Sequence, residues 1–140
     1  MQTVLSLETF VSLLLAVLLG AVVGIEREAI HKPAGLRTHM LVSLGSCLFT
    51  IVSIGFSVDP ARIAAGIVAG IGFIGAGTIW AEKDKVQGIT TAASLWATAA
   101  IGLAAGIGDY PLAAITTILV FIILSSRYVL RKMRAFIKKD

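Results

Sequence analysis

The chain has 140 residues, 57% of them hydrophobic and 14% charged, with a mean hydropathy of +0.94. This is far more apolar than a soluble globular domain, and the length allows a single domain. Twelve Lys and Arg against eight Asp and Glu give a net charge of +4. The basic residues sit at the ends of apolar runs, so the expected partner is the lipid bilayer with its anionic headgroups, and no nucleic acid is expected. The fold class that follows is an all-α integral membrane protein of about five short, glycine-rich transmembrane helices.

The N-terminal segment, Met1 to Phe10, carries Glu8 and lacks the positive region of a secretory signal, so the first apolar run, residues 7–25, is read as retained. Further runs cover 40–57, 63–81, 91–107 and 112–126, most of them near the lower length limit of about 17 residues for a spanning helix. Residues 127–140 form a basic tail. With the N-terminus outside, Arg27, Lys32, Arg37, Lys83, Lys85 and the six basic residues of the tail all fall inside, leaving only Arg62 outside. Such asymmetry supports five spans with a cytoplasmic C-terminus. The tail interleaves Tyr128, Leu130, Met133, Phe136 and Ile137 with its basic residues. It fits either a helix lying at the headgroups or a solvated flank.

Local chemistry marks several helix starts. Asp59 before Pro60 reads as an N-cap and first-turn proline, and Pro111 reads as a first-turn proline for the last span. A second reading makes Asp59 and Asp109 external cation ligands. Cys47 lies inside an apolar run, where a lone cysteine serves as a small buried hydrophobe and forms no intrachain disulfide. The pattern of Gly24, Lys32, Gly35, Leu36 and Thr38 recurs 53 positions later as Gly77, Lys85, Gly88, Ile89 and Thr91, with Leu replaced by Ile. A true repeat here would be parallel, about an axis along the membrane normal; chance similarity in a glycine-rich chain is the alternative.

Glycines four residues apart, Gly20 and Gly24, Gly66 and Gly70, and Gly102 and Gly106, form ridges, the second extended by Gly77. In lipid such ridges supply close backbone contact between helices, either within the chain or in a homodimer. Gly70, Gly72 and Gly75 match the dinucleotide pattern G-x-G-x-x-G. They lie inside a spanning run rather than between strand and helix, and Glu82 and Asp84 come too early for the ribose contact. They fit plain packing or a kinked helix.

The densest polar segment runs from Glu26, Arg27 and Glu28 to Lys32, Arg37, Thr38 and His39. On a helix Arg27 and Glu28 extend the Gly20 and Gly24 ridge, and Glu26 points away from Glu28. This places Arg27 and Glu28 towards the bundle interior, where charges are kept for pairing or transport. The alternative is a helix end at the headgroups with Glu28 and Lys32 paired. Glu26, Arg27, Glu28, Lys32, Arg37 and Thr38, with Asp59 and Arg62 on the other face, are the candidate functional residues. No spacing among Glu26, Glu28, His31 and His39 identifies a metal site, although one carboxylate would suffice for magnesium. No nucleophile, base and orienter assemble, so no enzyme and no cofactor are expected.

Three segments carry a family resemblance. They are Gly24 to Glu28 with Lys32 to Thr38, then Asp59 to Ala64 with Gly70 to Gly77, and finally Val86 to Trp96 with Ala99 to Gly102. On these the chain resembles the MgtC/SapB family of bacterial membrane proteins. The resemblance implies an inner-membrane protein supporting growth at low magnesium and, in pathogens, survival in macrophages. It implies regulation of another membrane complex such as ATP synthase; the alternative, a small magnesium or other cation transporter or channel, rests on the charged residues of the glycine ridge and on the possible parallel repeat. Many members add an ACT-like C-terminal domain; this sequence stops at Asp140 without one, so only the membrane part carries over.

Overall fold

The computed structural model describes residues 6–55, 59–83 and 85–137, with Pro60 and 129–137 as backbone only. Five helices and one small hairpin follow in chain order: α1 (Leu7–Ala29), α2 (Leu36–Gly55), α3 (Pro60–Ala76), β1 (Trp80–Glu82), β2 (Lys85–Gln87), α4 (Ile89–Gly106) and α5 (Tyr110–Ile137). Four helices are long and apolar enough to cross a membrane, and α3 is the shorter one. At a rise of 1.5 Å per residue its 17 residues reach about 25 Å, short of a hydrocarbon core of about 30 Å.

The helices begin where short polar side chains cap them. Ser6 Oγ accepts the Thr9 N–H at 3.1 Å, Asp59 Oδ1 accepts the Arg62 N–H at 3.3 Å, and Asp109 Oδ1 accepts the Leu112 N–H at 3.1 Å. Asp59 therefore acts as a cap, and Asp109 takes the same part for α5. Arg62 also lies 3.9 Å from Asp59 in an exposed pair.

Element bounds differ from the sequence expectation at several places. The third run ends as a helix at Ala76 instead of Ala81, and the chain then makes an antiparallel hairpin pairing Trp80 with Gln87 and Glu82 with Lys85. Isoleucine and tryptophan kept the apolar run unbroken past the end of the helix, and strands of three residues are too short for a period-two signal. The fifth helix runs on through the basic tail to Ile137. The expected end of the second run at Ser57, and the side chains on which the two readings of the tail depend, lie outside the described residues.

The core is a sandwich with α4 at its centre, flanked by α1, α2, α3 and α5. Ala16, Val23, Cys47, Ile101, Ala104, Ala105, Ala113 and Leu124 form one cluster, and Ala34, Ile71, Leu95 and Ala99 a second. Small residues set the helix spacing. A methyl built on Gly20 would lie 2.7 Å from the His39 carbonyl oxygen, and one on Gly24 the same distance from Leu36 Cα. One on Gly106 would lie 2.7 Å from Thr50 Cβ, and one on Gly102 would overlap the Ser43 carbonyl. These glycines bring both α1 and α4 close against α2, and the three helices pack on one another.

Gly66 and Gly70 depart from the expected internal packing, with nothing within 4 Å of a methyl built on either. The residues of α3 that pack inward are Ile67, Ile71 and Gly75, one position further along the helix, where Gly75 approaches Ala92. That shift of about 100° per residue turns the Gly66 and Gly70 face to the open groove between α3 and α2. Gly77 meets only carbonyls of its own helix end. The helix is continuous through Gly70, Gly72 and Gly75, so neither a break nor a nucleotide loop forms there.

The two halves of the proposed repeat share their helix starts, Gly35 before Leu36 and Gly88 before Ile89, but differ in what precedes them. The first link is a turn through His31 in the left-handed region (φ 55°) and the second is the hairpin.

Candidate functional site

The basic end of the bundle brings together the α1–α2 turn, the hairpin, the start of α4 and the second half of α5. Glu26 and Arg27 are 4% and 2% exposed, and the Arg27 Nε donates to Glu26 Oε2. The other Glu26 oxygen, Oε1, is buried with no partner among the described residues. Breaking such a buried pair leaves a bare charge, so both members are committed to each other.

Glu28 differs from the interior placement expected for it. It is exposed, and its Oε2 accepts the Leu36 N–H at 2.9 Å, capping α2 across the turn. The ridge geometry explains this outcome. Gly20, Gly24 and Glu28 do lie on one face, but that face meets α2, and Glu28 reaches it where α2 begins. Glu26 and Arg27 face a second interface, with α4 and α5, which a single-helix argument treats as lipid. Helix α1 is contacted on two sides.

Next to the pair, His39 is fully buried. Its Nδ1 lies 2.9 Å from the Gly35 carbonyl and its Nε2 lies 3.1 Å from Ser94 Oγ. A carbonyl can only accept, so Nδ1 carries a proton. Ser94 has one proton, shared in choice between the Thr91 carbonyl at 2.8 Å and His39 Nε2.

From His39 a line of hydroxyls descends through the bundle. Ser43, Ser46, Thr50 and Ser53 follow it on α2 at spacings of four and three, all buried, with Thr91, Ser94 and Thr98 buried on α4. Thr50 and Thr98 donate to carbonyls one turn back, whereas Ser43 Oγ and Ser53 Oγ have no partner among the described residues. These hydroxyls carry no charge and lie inside apolar runs, so composition alone does not mark the seam. The alternation of four and three from His39 to Ser53 was the available signal.

The remaining candidates lie apart. Lys32 and Arg37 are exposed, and Thr38 and Arg62 line opposite ends of an apolar groove of about 740 Å³ between α2 and α3. Asp59 stays at its cap. Among the described residues no three of His, Cys, Asp and Glu converge as metal ligands. A cleft of about 710 Å³ at the basic end is lined by Arg27, Lys32 and Arg127 together with the start of α4. Arg127, in the sequence only one of six basic tail residues, reaches this cleft through the fold.

The sequence profile of the MgtC family matches residues 13–133. The putative magnesium transporter YhiD of Escherichia coli K12 is 43% identical over 127 residues, covering 84% of this chain and 59% of that protein. Protein MgtC of Salmonella typhimurium LT2 is 48% identical over 110 residues, covering 78% of this chain and 48% of that protein. A protein of Haemophilus influenzae is 42% identical over 125 residues, with 81% and 52% covered. The chain thus spans between 48% and 59% of the length of these curated relatives. No solved structure matches it.

Proposed function

This chain belongs to the MgtC family, and on that premise we propose that it is a bacterial inner-membrane protein that supports adaptation to low magnesium by binding and regulating another membrane complex, ATP synthase being the first candidate. The observation that carries this reading is the open glycine face of α3. Gly66 and Gly70 have empty space above them while Gly20, Gly24, Gly102 and Gly106 are occupied inside the bundle. A glycine ridge in lipid is a device for close helix contact, and this one lines the open groove between α2 and α3 with nothing packed on it among the described residues. The buried and mutually paired Glu26 and Arg27 suit a rigid scaffold that holds this face in place.

The test is affinity capture from native membranes of cells grown at low magnesium, with ATP synthase subunits measured directly. Wild type is expected to retain them and the Gly66→Leu, Gly70→Leu variant to lose them, with unchanged thermal stability in detergent. Equal recovery by both proteins, or recovery by neither, would sink the reading. Capture by the wild type of a second chain copy bearing a different tag would instead assign the face to a homodimer.

A second reading, a small magnesium or other cation transporter, rests on the seam from His39 to Ser53 and on the word transporter in the name of one relative. Hydroxyls and one histidine lining a helix interface suit the relay of a small cation. Purified protein in liposomes should then pass magnesium or protons under a potential, and His39→Leu should abolish the flux. Absence of flux for magnesium, protons, sodium and potassium ends this reading.

A further inference from the structure

The geometry points to a binding site for a phosphate group in the basic cleft between α1, α4 and α5. Eleven residues line the cleft, and three of them, Arg27, Lys32 and Arg127, are cationic, with no acidic residue among the eleven. Glu26 offsets part of the Arg27 charge from the buried side, through Nε alone. The Arg27 side chain is 2% exposed, yet its two terminal nitrogens have no hydrogen bond among the described residues. Arg127 Nε is likewise buried with no partner among the described residues. A buried guanidinium nitrogen without an acceptor, as at Arg127 Nε, is costly to keep, and the Arg27 guanidinium, on a side chain 2% exposed, lines the same cleft.

Helix α4 supplies a third independent contribution. Its N-cap is Gly88, in the left-handed region at φ 90°, which offers no side chain to the first-turn amides. Gly88, Ile89, Thr90 and Thr91 line the cleft, so the uncapped amides and the positive end of the helix dipole face the same space as the three cations. Gly88 is held there by contact: a side chain at this position would overlap the Thr78 carbonyl. Guanidinium forks and helix-start amides together recognise the tetrahedral oxygens of phosphate. The other wall, Val86, Ile89, Ile123 and Leu124, is apolar. Phosphate there has two sources, an anionic phospholipid headgroup whose chains follow the apolar wall, or a free phosphate compound from the aqueous side.

The experiment uses the purified chain in nanodiscs of phosphatidylcholine, with two probes: phosphatidylglycerol mixed into the disc, read by native mass spectrometry, and inorganic phosphate in the buffer, read by phosphorus NMR titration. The cleft variant is Lys32→Gln with Arg127→Gln, which leaves the buried Glu26–Arg27 pair intact. The charge-matched control is Arg37→Gln with Lys83→Gln, both exposed and outside the cleft. Wild type and control are expected to bind one of the probes, and the cleft variant to bind it at least about tenfold more weakly, two charge-assisted contacts being lost. Binding of phosphatidylglycerol alone assigns the site to lipid, and binding of inorganic phosphate assigns it to a soluble ligand. Failure of wild type to bind either probe overturns the proposal. So does an equal loss in cleft variant and control, because the effect is then bulk charge.

Discussion

Glu26 and Arg27 are neighbours in sequence and partners in a dry interior, and the energetics of such pairs are asymmetric. Removing one member strands the other, at about 3–5 kcal/mol, whereas replacing both by apolar groups of similar volume is close to neutral. Glu26→Leu and Arg27→Met are therefore each expected to destabilise the protein strongly, and the double variant to recover most of the loss. Thermal unfolding of the three variants in detergent measures this coupling, and additive losses would show that the two charges act separately. Glu28 follows a different rule, since its work is to accept one backbone N–H at the start of α2. An amide oxygen accepts as a carboxylate does, so Glu28→Gln should stay within about 0.5 kcal/mol of wild type while Glu28→Ala loses about 1 kcal/mol. The same thermal measurement separates the two, and a Gln variant as weak as the Ala variant would mean that charge, not capping, matters at this turn.

At the level of helices, two kinds of glycine are distinguished by what lies over them. Gly102 sits against the Ser43 backbone, which cannot yield without moving α2 from α4, and Gly106 sits against Cys47 and Thr50. Gly102→Ala is expected to cost about 1–3 kcal/mol through forced separation of the helices. Gly70→Ala has open space and gains helix propensity, so it should be neutral or stabilising by up to about 1 kcal/mol. Comparison of melting temperatures in detergent decides between them, and a loss at Gly70 equal to that at Gly102 would contradict the placement of Gly70 on the open groove. The spacing of four was legible in the sequence for all three pairs. What was not legible was the partner, because a ridge on α3 looks the same whether it meets α4 or an open groove. The apolar runs at α1, α2, α4 and α5 were readable for the opposite reason: a spanning helix must hide its backbone from hydrocarbon along its whole length, which leaves a continuous apolar signal. The hairpin had no such signal, since Trp80–Glu82 and Lys85–Gln87 are exposed and short. The candidate site was half legible. Charge density drew attention to Glu26 through Thr38, but Arg127 and Ser94 join that cluster only through the fold.

For the whole molecule, sidedness ties these features together. The structure gathers Arg27, Lys32, the hairpin start of α4 and Arg127 at one end, while Asp59 and Arg62 stand at the start of α3. On its charge asymmetry the first end is expected to face the cytoplasm. This orientation requires α3 to cross, although its length is below the hydrocarbon thickness. A short span is accommodated by local thinning of the bilayer or by polar residues at its ends, at a fraction of a kcal/mol per Å. Arg62 at one end and the exposed hairpin at the other are placed to tolerate that mismatch. The arrangement can be read by thiol labelling, because the native Cys47 is fully buried and gives little background. Lys83→Cys is expected to react with a membrane-impermeant maleimide only in inside-out vesicles, and Asp59→Cys only in intact spheroplasts. Labelling of both from the same side would mean that α3 turns back within the bilayer. The chain would then cross four times, and the glycine face of α3 would lie at a depth where a transmembrane partner helix could not pack along it.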